Sequence, residues 1–176
     1  MTGKYNTAAG GLLLLLGAAC VAWAADTASE KFIKDAIQGN LAEVQVGQLA
    51  QEKGATQGVK DFGAALANDH RMANEKALQV AQHMSVMPPD KPGLKQQAVY
   101  EKLSRLSGPK FDREFAKSMA KDHQEDIAKY QKESQLTDAA ATYAKDTLPK
   151  LHEHLKMAQE LEQASKVASD SHATLK

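Results

Sequence analysis

The chain of 176 residues has one cysteine, one tryptophan and only 5% aromatic residues. It has 22 basic and 22 acidic residues, which leaves no surplus of either sign. Without a basic stripe, nucleic acid is not an expected partner. No segment alternates apolar and polar residues, so no sheet is expected. Phosphate-cradling glycine loops, nucleophile elbows and dinucleotide fingerprints are missing too, which leaves hydrolase, kinase and dehydrogenase chemistry without support. A binding or structural protein is expected rather than an enzyme.

Long apolar runs are also scarce. Gly10 to Ala19 holds five consecutive leucines, Leu12 to Leu16, but falls short of the roughly 20 apolar residues a membrane span needs. Lys4 precedes it, and Ala22-Trp23-Ala24 follows with the small-x-small form of a signal-peptidase site. Residues 1–24 therefore read as a signal peptide, and residues 25–176 as one exported domain in the periplasm or cell envelope. Its core is expected over residues 29–164, with a polar tail over 165–176. After cleavage no membrane span remains. Cleavage at Ala24 also removes the only cysteine, which excludes a disulfide scaffold, a thiol catalyst and haem attachment. Lipid attachment at Cys20, whose preceding Gly17-Ala18-Ala19 is a poor lipobox, and retention of the segment as an uncleaved anchor are the competing fates.

What the chain does have is helical periodicity. Ser29 to Lys53 carries apolar residues at Phe32, Ile33, Ala36, Ile37, Leu41 and Val44, with Ser29 as N-cap. Thr56 to Met84 has a stripe through Val59, Phe62, Leu66, Ala73, Ala77 and Val80. Pro88, Pro89 and Pro92 impose a loop, and Leu94 to Leu106 reads as a short helix. Lys110 to Ser134 forms the next long helix. Thr137 caps a last one from Asp138 to about Ala164, with Pro149 inside it. The expected fold is all-α: a ferritin-like four-helix bundle whose long middle crossover contains a short extra helix.

One stretch occurs twice. Phe62 to Asp69-His70 recurs 53 residues later as Phe115 to Asp122-His123. At about 100° per residue, each Asp-His pair straddles the apolar stripe of its helix. Glu43 and His154 fall on the inner faces of the first and last helices. All lie roughly 20 Å from their inter-helix turns at 1.5 Å rise per residue, so one mid-bundle layer is expected to gather Glu43, Asp69, His70, Asp122, His123 and His154. Buried charges need partners. A divalent metal (iron, manganese, zinc or copper) is one solution, since carboxylates and imidazoles on facing helices suit such ions. A self-satisfied network, each carboxylate orienting its neighbouring imidazole or Glu43 accepting from His154 or Asn40, is the other. His83, His152 and His172 are expected at the surface. Asp112 is expected as a first-turn charge favoured by the helix dipole. Association with a second copy is left open by these features.

Glu43-Val-Gln-Val-Gly47-Gln-Leu-Ala50, the two Asp-His segments, Phe111-Asp112, and Leu148-Pro149 followed by His154-Leu155 together resemble the bacterial domain of unknown function 4142. The resemblance spans about Ser29 to Leu161. It implies an exported protein with a ferritin-like bundle and no established activity. The Glu-x-x-His pairs of di-iron bundles do not occur on the core faces here, so ferroxidase chemistry is not implied.

Overall fold

A computed structural model describes the backbone of residues 14–173 and the side chains of residues 28–167. Residues 1–13 of the expected leader fall outside these residues, as do the side chains of Cys20 and His172. Five helices follow in order: α1 (Leu14–Lys53), α2 (Gln57–His83), α3 (Leu94–Ser104), α4 (Gly108–Glu133) and α5 (Ala139–Ala173). Among the described residues there is no strand, and no helix is long and apolar enough to cross a membrane.

Several boundaries differ from expectation. α1 is already helical at Leu14, upstream of Ser29, through a run rich in alanine and leucine with high helix propensity. Ser29 is consequently inside the helix rather than its cap, and its hydroxyl donates to Asp138 Oδ2 at 2.5 Å. α4 begins at Gly108, whose φ of 61° is accessible to glycine without steric cost. At α5 the cap is Asp138 and not Thr137: its Oδ1 accepts from the Ala141 amide at 2.8 Å. α5 also continues past Ala164 to Ala173.

Two apolar clusters show how the helices run. One joins Phe32, Ile33 and Ile37 midway along α1, Ala77 and Ala81 late in α2, Ile127 and Tyr130 late in α4, and Ala140 to Leu151 early in α5. The other joins Val46 to Ala50 late in α1, Val59 to Leu66 early in α2, Phe111 to Ala120 early in α4, and Ala158 in α5. Hence α1 and α5 run one way, and α2 and α4 the other. The chain leaves α2 at one end and must enter α4 at the opposite end. The crossover carrying α3 spans that length, which is the one-crossover form of a four-helix bundle.

The hairpins are locked by close approaches. At the α1–α2 crossing, a Cβ on Gly47 would lie 2.5 Å from the Gly63 carbonyl oxygen, and one on Gly63 would lie 2.7 Å from Ala50 Cβ. Only hydrogen fits at either position. Asp112 does more than complement a helix dipole. It is buried, and its carboxylate accepts from the Ala55 and Thr56 amides and the Thr56 hydroxyl at 2.8, 2.9 and 2.8 Å. It thus clamps the α1–α2 turn to the start of α4, while Thr56 caps α2.

Asp112→Ala is expected to lower unfolding free energy by about 3 kcal/mol, because it strands buried donors that met a charged acceptor. Gly47→Ala should cost about 2 kcal/mol through enforced separation of two backbones. Urea denaturation measures both; a loss below about 0.5 kcal/mol in either would contradict the packing described.

Candidate metal centre

The polar layer sits between the two apolar clusters. Phe62 and Phe115, the leading residues of the repeat, pack against each other with ring centroids 5.6 Å apart. Phe62 also meets the edge of His154. Above them the imidazoles of His70, His123 and His154 converge, with ring centroids 5.3 to 5.8 Å apart. All three residues are buried, and one nitrogen from each lies within 4.8 Å of the others.

Each ring is held by one nitrogen. His123 Nδ1 is 3.0 Å from the Met119 carbonyl oxygen; a carbonyl only accepts, so Nδ1 carries the proton. His70 Nδ1 meets Asn40 Oδ1 at 2.9 Å, and the Asn40 amide donates in turn to Tyr143 Oη at 3.0 Å. His154 Nε2 donates to Asp69 Oδ2 at 3.0 Å, with Lys150 3.5 Å from the same oxygen. The opposite nitrogens, His70 Nε2, His123 Nε2 and His154 Nδ1, are buried without a hydrogen-bond partner. In the neutral rings these three carry lone pairs.

The electrostatics keep the rings neutral. Burial pushes the His70 pKa far down, with help from His123 and His154. Burial and the neighbouring His154 lower His123 from 6.5 to about 4, although the Met119 carbonyl and Asp122 oppose this. Burial lowers His154 too, against the pull of Asp69. For Asp69, burial works against ionisation, but the bond from His154 and the charge of Lys150 prevail and hold its pKa down. Neutral imidazoles with oriented lone pairs are the form a metal ion needs.

The six expected residues therefore divide. The three histidines converge, and Asp69 stands behind His154 rather than beside its sequence neighbour His70. Glu43 and Asp122 pair with each other. Burial, the Asp122 charge and a hydrogen bond between the two carboxyls raise the Glu43 pKa well above its usual value. Neither neighbouring Asp-His pair closes on itself, and no hydrogen bond joins Glu43 to Asn40 or His154. His83 and His152 are exposed, as expected. Asn40 and the Met119 carbonyl were not foreseen as the partners that orient His70 and His123. The inward phase of Asn40 on α1 was the available signal; a backbone acceptor four residues before His123 leaves none.

The site defines a helical bundle with a buried cluster of three histidines able to hold a metal ion. Over residues 17–161 the chain matches the family described as domain of unknown function (DUF4142), and it belongs to that family. Comparison with curated proteins and with solved structures found no match.

The depressed histidine pKa values set the pH dependence of the metal-free protein. In the unfolded chain an imidazole takes up its proton near about 6.5, whereas folded His123 resists until about 4. Acidification across that window therefore favours the unfolded chain, by about 3 kcal/mol for His123 alone. Glu43 acts oppositely, since its raised pKa favours the fold at low pH and the contribution is lost as pH rises. Imidazole nitrogen NMR separates the two. At pH 5.5 His123 should keep the shifts of a ring protonated only at Nδ1; a cationic His123 there would contradict the site.

Proposed function

We propose that this protein is an exported metal-binding bundle, in which His70 Nε2, His123 Nε2 and His154 Nδ1 hold one divalent transition-metal ion. The observation that carries the reading is a set of three buried, unpartnered nitrogens on three imidazoles that each bring one nitrogen within 4.8 Å of the others. A purely self-satisfied network would give those atoms protein partners, because an unmet buried polar group is costly.

The dimensions support it. The corners of an equilateral triangle of 4.8 Å side lie about 2.8 Å from its centre, so shifts of under about 1 Å reach the 2.0–2.1 Å of a Zn–N bond. Three neutral imidazoles suit zinc or copper(II), and among divalent ions of this series copper binds tightest. Asn40, the Met119 carbonyl and Asp69 act from behind, fixing each tautomer and raising ligand basicity. Metal capture or storage in the cell envelope fits a site with oriented ligands deep in a bundle, and the short apolar leader supports export. Protection against metal stress is the role that follows.

Loading purified protein with zinc or copper should give one tightly held ion per chain, read by elemental analysis after gel filtration. At a free ion concentration 100 times Kd, binding should stabilise the fold by about 2.7 kcal/mol. His123→Ala should weaken binding at least 100-fold, and Asp69→Asn about tenfold. If the wild-type chain retains no stoichiometric zinc or copper and its melting temperature ignores both metal and chelator, the layer is a structural element of an interaction module instead.

A further inference from the structure

We propose that Glu43 and Asp122 form a second cation site, separate from the imidazoles, that takes a hard divalent ion such as Mn2+. This does not rest on the histidine reading. Glu43 projects from α1 and Asp122 from α4, and both line a cavity of about 310 Å³ between α1, α3 and α4. Glu43 is only 4% exposed, and its Oε2 is buried with no hydrogen-bond partner. In the metal-free protein the hydrogen bond between the Glu43 and Asp122 carboxyls leaves that oxygen unmet, and a cation binding between the two would displace the shared proton and meet both carboxylates.

The lysines of the cavity do not supply one. Lys95 pairs with Glu125, Lys102 with Glu114 and Lys121 with Glu125, and Lys117, the fourth lysine of the lining, makes no ion pair with Glu43 or Asp122. Lys129, outside the lining, binds Asp126 at 2.6 Å. Among the described residues, no lysine, arginine or histidine makes an ion pair with Glu43 or Asp122. Carboxylate oxygens from two helices, with space for water, match the preferences of Mn2+ and Mg2+, which keep several water ligands and bind through one or two carboxylates. At about 30 Å³ per water the cavity holds several. Glu43 follows Asn40, the partner of His70, by three residues. That separates Glu43 from Asn40 by about 4.5 Å along α1; on α4 Asp122 adjoins His123, and the two ligand sets share no residue.

The test uses zinc-saturated full-length protein titrated with Mn2+, with free Mn2+ followed by electron paramagnetic resonance. One Mn2+ per chain should bind, and Glu43→Gln and Asp122→Asn should each weaken it at least tenfold while retaining zinc. His70→Ala should lose zinc but keep Mn2+. An anomalous scattering peak between Glu43 and Asp122 in manganese-soaked wild-type crystals checks the location without any variant. The proposal is overturned if wild-type protein binds no Mn2+, if both carboxylate variants bind it unchanged, or if the peak lies among the imidazoles. Loss of zinc binding with manganese binding intact would remove the proposed function and leave this site standing.

Discussion

Three imidazole rings have to be buried between two apolar clusters without carrying charge, and the interior of the bundle is arranged around that constraint. A neutral imidazole has one N–H to place and one lone pair to point elsewhere. Here each N–H is met by a different kind of acceptor: an amide oxygen from α1, a carbonyl of the same helix, and a carboxylate from α2. The three acceptors come from different elements, and the nitrogen opposite each is left buried without a partner. The chain of contacts runs on through Tyr143 and Tyr130, whose hydroxyls are 3.5 Å apart. The orientation of His70 is thereby tied to the packing of α4 against α5.

Carboxylates and imidazoles are sorted by helix geometry. Adjacent residues point about 100° apart, so Asp69 cannot reach the ring of His70 while both stay helical. It crosses instead to His154 on α5. By the same geometry Asp122 turns from His123 toward Glu43 on α1. The separation gives the interior two environments, one rich in nitrogen and closed, the other rich in oxygen and beside a cavity.

How much of this could be read from the sequence depends on angular tolerance. A helix needs only that its apolar stripe be recognisable, and the stripes through Phe62 and Leu66 or Phe115 and Met119 are. The middle connection was legible from its three prolines, and the antiparallel hairpins from their short turns. That His70, His123 and His154 lie at one level was also legible, because rise per residue is nearly constant. Which of them touch was not. A hydrogen bond demands placement to a few tenths of an ångström, and the phase of one helix against another is set by contacts such as Gly47 on Gly63, which no periodicity reveals. Asp112 failed differently. Its partners are backbone amides of a distant turn, and a single sequence carries no trace of such a meeting.

The direction of the helices bears on the origin of the repeated segment. Duplication of an ancestral hairpin would relate α1 to α4 and α2 to α5, since chain order is preserved in copying. The two Phe-to-Asp-His segments lie instead on α2 and α4, the second helix of one hairpin and the first of the other. An axis along the bundle exchanges these two, but it reverses the order in which the helices are made. Their likeness therefore does not record hairpin duplication. Two parallel helices that meet α1 and α5 at the same depth present equivalent surroundings to equivalent residues.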